Sequence, residues 1–123
     1  MDYSKLSDFE INKRVAICVR PEIKNWTCYD VSGRACFVVN ENTPKRVQLG
    51  FSFTSDPADA WPIIQKNLLR IVPVAFLGKV NWVVSRNVHS NHDANPLRAA
   101  MITFLMMQES ANVPANSTGS DIR

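Results

Sequence analysis

Asn95-Pro96-Leu97-Arg98-Ala99-Ala100-Met101-Ile102-Thr103-Phe104-Leu105-Met106-Met107 opens with a side chain able to accept backbone amides, followed by a residue with no amide to satisfy. Asparagine at the N-cap and proline at the first helical position are a helix start. Leu97, Ala100, Met101, Phe104 and Leu105 recur at i, i+3, i+4, i+7 and i+8 and predict one core stripe on a helix running to about Glu109. Ala99, Ile102, Met106 and Met107 leave the opposite side apolar too. That is more than one small core uses, so the helix is expected to be central or shared with a second subunit, as a homodimer through residues 96–109.

Upstream, Asp56-Pro57-Ala58-Asp59-Ala60-Trp61-Pro62-Ile63-Ile64 marks another helix start. A start at Pro57 would bury Pro62 in the helix interior, at a cost of about 3 kcal/mol. With Asp59 as cap, Pro62 falls where the missing amide costs little. The regular helix is therefore predicted from about Ala60 to Leu69, with Ile63, Ile64, Asn67 and Leu68 inward. Between the two helices, Ile71 to Leu77 and Val80 to Val88 flank Gly78-Lys79 as a strand pair, with Pro73 restricting the first to an edge or partial strand. Residues 90–95 read as a polar loop.

Arg46-Val47-Gln48-Leu49-Gly50-Phe51-Ser52-Phe53 alternates apolar and polar, the period of a half-buried strand, and pairs naturally with the apolar run Ala35 to Asn40. Residues 21–34 hold Pro21, Asn25, Asp30, Ser32 and Gly33 and read as a loop. The first helix, from about Asp8 to Val19, has a Ser7/Glu10 capping box and a Leu6/Ile11 staple. Phe9, Asn12, Val15, Ala16 and Val19 face inward with one polar interruption, and Pro21 stops the helix. Residues 111–123 are too polar and turn-rich to pack and are expected to be a flexible tail. The expected fold is α+β, a single domain over residues 1–110 in the order α-β-β-α-β-β-α, with helices on one face of a small, mainly antiparallel sheet.

A chain of 123 residues with 46% hydrophobic and 20% charged residues suits one modest core. The formal charge of +3 permits an anionic partner without demanding one, since Lys45, Arg46, Lys66, Arg70, Lys79, Arg86 and Arg98 are scattered rather than gathered in a stripe. No apolar run approaches the roughly 20 residues that span a bilayer, and Met1-Asp2-Tyr3 begins neither a signal peptide nor a lipidation motif, so a soluble, cytoplasmic protein without a membrane partner is expected. Cys18, Cys28 and Cys36 are an odd count and are expected as reduced thiols.

Chemistry-bearing patterns are sparse. The cysteines lie ten and eight positions apart, unlike the close pairs of zinc modules, so no metal and no cofactor are expected even with His89, His92 and Asp93 nearby. No nucleophile elbow surrounds a serine or cysteine; Cys28 with His89 or His92 is the least implausible catalytic pair. Asp56 and Asp59 are explained by helix capping, and the four glycines form no phosphate loop. Trp61 before Pro62 is expected as a core or lid residue anchoring the helix start, the alternative being an exposed interface residue. Trp82 and Arg86 share a face of one predicted strand, where they could stack bases or form an interface hot spot, against the plainer reading of a packed tryptophan under a snorkelling arginine.

The stretches Leu6-Ser7-Asp8-Phe9-Glu10-Ile11-Asn12, Asp56 to Ile64, and Asn95 to Met101 with Phe104-Leu105-Met106-Met107-Gln108-Glu109 resemble, in this order, the NinX-like family of phages and prophages. Where relatives carry a tryptophan-x-alanine element before the last helix, this chain reads Trp82-Val83-Val84. The resemblance implies a small phage or prophage accessory protein in a bacterial cytoplasm and brings no reaction with it. The leading expectation is a non-enzymatic protein that binds a host or phage macromolecule. Weak nucleic-acid binding through Trp82 and Arg86 is the alternative, and an enzyme using Cys28 or the His89 and His92 loop a further one. Trp61, Pro62, Trp82, Arg86 and Arg98 are the candidate binding residues.

Overall fold

The computed structural model describes residues 1–111, so the expected tail at 112–123 lies outside the described residues. Helix α3 (Pro96–Ala111) begins as its sequence predicts: the Asn95 side-chain oxygen accepts the amides of Leu97 and Arg98 at 2.9 and 3.3 Å. Every residue from Ala99 to Leu105 is buried. Helices α1 (Asp8–Val19) and α2 (Pro57–Lys66) and two strands pack around α3, which is central to the chain's own core, while Met106 and Met107 remain half-buried.

The Ser7 hydroxyl caps α1 by accepting the Glu10 amide at 3.2 Å, and the helix buries Ile11, Asn12, Val15 and Ala16. Strands β1 (Thr27–Val31), β2 (Arg34–Val39) and β3 (Val47–Phe51) form one antiparallel meander, packed on α1. Strands β4 (Arg70–Phe76), β5 (Lys79–Arg86) and β6 (His89–Asp93) form a second, whose β5 and β6 pack on α3. The fold is α+β with the expected α-β-β-α-β-β-α order, and each expected hairpin gains a third strand. The two gains correct the loop readings. Thr27-Cys28-Tyr29-Asp30-Val31 lies within the segment read as a loop, and its turn signals describe the ends: Pro21 opens a short 3-10 helix, Asn25 lies in a turn, and Ser32-Gly33 turn with φ of 54° and 89°. His89-Ser90-Asn91-His92-Asp93 is polar throughout and is a strand because β5 pairs with it and α3 packs against it.

Helix α2 also departs from expectation. It starts at Pro57, capped by the Asp56 carboxylate, which accepts the Ala58 amide at 2.9 Å, and Pro62 lies inside it. Asp59, expected as the cap, instead accepts the Ser52 amide at 2.9 Å. Capping at Asp56, the Asp59 tie and the burial of Ala60, Ile63 and Ile64 together offset the hydrogen bond that Pro62 cannot make. The helix stops at Lys66, and Leu68, expected inward, is 65% exposed with φ of 54°.

A polar node crosses the core. Asn12 is 1% exposed; its amide donates to the Gly33 carbonyl at 2.9 Å and the Thr54 hydroxyl at 3.3 Å, while its oxygen accepts the Thr54 amide at 3.0 Å. Asn95 donates to the Thr54 carbonyl at 2.7 Å. Asn12→Leu would strand the buried Thr54 amide and is expected to lower the unfolding free energy by about 2–4 kcal/mol in urea denaturation. A loss below about 0.5 kcal/mol would show the node to be dispensable.

Candidate functional site

The alternation of β3 places Phe51 on the core side, and Phe53, two residues on, turns the same way. Their rings stack at 5.4 Å between centroids, 11° from parallel, and Phe37 meets Phe51 edge-on at 6.0 Å. Against this aromatic floor, α2 brings Pro62 and Ile63, α3 brings Phe104 and the end of α1 brings Val19, enclosing a groove of about 590 Å³. Asp59, Lys66, Asn67 and Gln108 are its polar lining. The Asp59 carboxylate that borders the groove is the one fastened to the Ser52 amide, so the wall is fixed by the same tie that supports α2. A second hollow, of about 420 Å³ and lined by Tyr3, Arg14, Ile17, Leu105 and Glu109, shares Cys18 and Gln108 with the first.

Trp61 stands beside Pro62 and is 57% exposed, which corrects its expected core or lid position. Ala60, Ile63 and Ile64 occupy the buried side of α2, and at about 100° per residue this turns position 61 toward solvent. Of the two readings, the exposed position is the one observed. Of the candidates only Pro62 lines the groove; Trp61 is its chain neighbour but stands on another side of α2, and the other candidates are elsewhere. Trp82 and Arg86 share a face as expected, but Val84 between them is fully buried and its carbonyl accepts the Thr103 hydroxyl at 3.2 Å, so this face meets α3. Arg98 joins Asp93 at 3.2 Å and Asp8 at 2.6 Å and donates to the carbonyls of Ser4 at 3.1 Å and Leu6 at 2.7 Å. Its guanidinium fastens α3 to β6, to the start of α1 and to the segment before it.

The three cysteines are free, and burial pushes the thiols of Cys18 and Cys28 upward, away from the reactive thiolate. Among the described residues no group of three or more His, Cys, Asp or Glu side chains could hold a metal ion. No helix among them is long and apolar enough to cross a membrane.

Sequence reasoning missed the groove, because Val19, Phe51, Phe53 and Phe104 come from separate elements and each reads alone as core. It also missed a projecting arm. Pairing of β5 with β6 ends at Trp82↔Asp93, whereas β4 and β5 stay paired to Phe76↔Lys79. Residues 73–81 are all exposed, with Val74 at 45%, Phe76 at 73%, Leu77 at 84% and Val80 at 50%. The tip is a two-residue turn with φ of 51° at Leu77 and 75° at Gly78. Glycine suits that turn, while leucine is strained in it. Pro73 pairs with Trp82 without an amide to donate, so the pair is of the non-hydrogen-bonded kind, and Ile71 and Ala75 turn their backbone groups to the open edge.

Residues 2–108 match the family model described as Bacteriophage P22, NinX. Comparison with curated proteins and with solved structures gives no match.

In the second hollow the Tyr3 hydroxyl donates to Glu109 at 2.8 Å, and burial, then this bond, pushes its pKa up to about 12. Folded Tyr3 therefore holds its proton more tightly than unfolded Tyr3, a contribution present below the ordinary value of 10.0 and lost as pH rises through about 12. Unfolding free energy is expected to decline across that window, and less steeply in Tyr3→Phe. Identical alkaline slopes would contradict the Tyr3–Glu109 tie.

Proposed function

This chain belongs to the bacteriophage P22 NinX family and is a phage accessory protein, and we propose that it works as a non-enzymatic interaction protein that binds a partner protein in the groove lined by Phe51, Pro62 and Phe104, with Trp61 on the neighbouring side of α2 adding to the contact. The observation that supports this reading is an open groove floored by Phe51 and Phe53, with a tryptophan 57% exposed one position along α2 from Pro62 of its wall. Tryptophan loses much apolar area on docking and is enriched among the residues that dominate binding energy. The lining suits packing: stacked phenylalanines, a proline ring, an amide pair, and a carboxylate already engaged by a backbone amide. Pro62 supports it as well, because a proline inside a helix breaks a local rule, and such breaks concentrate where function requires them. A partner would seat apolar side chains on Phe51, Phe53 and Phe104, and one that also wraps α2 would cover Trp61.

Nucleic-acid binding through Trp82 and Arg86 has less support, since Val84 between them lies beneath α3.

Trp61→Ala removes a side chain that the fold does not bury, so thermal stability is expected to change by less than about 0.5 kcal/mol. Loss of a hot-spot contact of about 2 kcal/mol or more corresponds to roughly a 30-fold weaker complex. Affinity capture from infected cells, treated with nuclease, should recover a protein partner with the wild-type chain and lose it with Trp61→Ala. Equal recovery by both would contradict the proposal.

A further inference from the structure

We infer that the occupant of the groove is the β4–β5 arm of a second copy of this chain, seated reciprocally so that each of two subunits gives its arm and receives the other's. The inference rests on the reading of the groove as a protein-docking surface and names the partner. The arm carries Val74, Phe76, Leu77 and Val80 into solvent on a two-stranded stem, and Lys79 is the one charged residue among 71–85. It extends three residue pairs past the end of β6, roughly 10 Å at the rise of a strand. An exposed apolar element of this kind marks an interaction site.

Three features match it to the groove. A benzene ring fits a cavity of about 150 Å³, so the groove's 590 Å³ has room for Phe76 with Leu77 and a further apolar side chain. The groove's aromatic floor offers Phe76 the offset or edge-on ring contacts that its exposed position denies it. Lys79 beside Phe76 meets a lining that carries one charge of each sign, Asp59 and Lys66, so its place is at the Asp59 end, where the carboxylate's second oxygen is free of the Ser52 amide.

The arm does not fill the groove of its own chain. Asn67, at the root of β4, already lines that groove, and from there the strand carries the tip outward to exposures of 73% and 84% at Phe76 and Leu77. Folding back would require unpairing β4 from β5. A second copy has no such constraint. Area favours the reciprocal form: four side chains at about 100 Å² each fall short of the ~800 Å² a side that a standard interface buries. Two arms in two grooves reach it. Reciprocity also closes the assembly, whereas one-way docking would run on into a filament.

Light scattering after size exclusion should give a dimer for the wild type and a monomer for Phe76→Asp, with unchanged circular dichroism, because Phe76 lies outside the core. Lys79→Glu should raise the dissociation constant about tenfold or less, as a rim charge does. Cys18 lines the groove and is exposed, so Leu77→Cys treated with diamide should give a covalent dimer in which two thiols have become one disulfide. Cys18→Ser in that background should abolish it. A monomeric wild type overturns the inference; if Trp61→Ala still loses a captured partner, the groove reading stands without it. A dimer that Phe76→Asp leaves intact, or a disulfide that survives Cys18→Ser, overturns the proposed seating as well.

Discussion

The buried carboxamide of Asn12 joins three parts of the chain directly, α1, the β1–β2 turn and the segment before α2, and a fourth, the start of α3, through Thr54. It reaches the β1–β2 turn through the Gly33 carbonyl and the segment before α2 through both the hydroxyl and the amide of Thr54. Thr54 in turn accepts from Asn95, whose own oxygen starts α3. Only a carboxamide places a donor and an acceptor side by side on a short stem, so the pattern demands asparagine at a position where helix periodicity alone would favour an apolar residue. Since buried polar groups are costly unless paired, the node admits one arrangement of these segments and penalises the rest. Phe53 precedes Thr54 directly, so the position of the groove's aromatic floor follows from this hydrogen bonding.

Arg98 acts on the same elements from the outside. At 15% side-chain exposure, paired with two carboxylates and two carbonyls, it closes the segment before α1 onto α3. With the start of α3 bound to Thr54 and its first turn bound through Arg98 to Asp8 and Asp93, the helix is fixed at its N-terminal end while apolar packing fixes the rest. The groove lies farther along, between the end of α1, the Pro62 and Ile63 side of α2, and Phe104 and Gln108 of α3.

Features written in local chemistry were legible in the sequence. Ser7 with Glu10, Asn95 with Pro96, and the alternation from Val47 to Phe51 each state a cap or a period, and each element appears where that signal puts it. The α+β order followed from them. Strands β1 and β6 were not legible, because every residue in them is exposed or half-exposed, β6 is polar throughout and β1 lies among turn formers, and pairing with β2 and β5 supplies what hydrophobic pattern does not. Pro62 misled for a related reason: the local cost of an interior proline was judged correctly, but the Asp59–Ser52 bond that helps offset it is tertiary. Trp61 was read as core because tryptophans usually bury, yet the inward sides of Ala60, Ile63 and Ile64 leave it no place there. The groove and the arm depend on which elements end where, a property of the assembled domain and of no single stretch.

The structure thus depends on whether a loop amide in the middle of the chain behaves as part of the core. Native-state hydrogen exchange of the Thr54 amide measures this directly. Bonded to buried Asn12, it is expected to exchange only when the whole domain unfolds, with the protection of the α3 amides around Ile102. Exchange as fast as that of an exposed turn amide such as Ser55 would contradict the role of Asn12 as the constraint on which the fold and its groove are built.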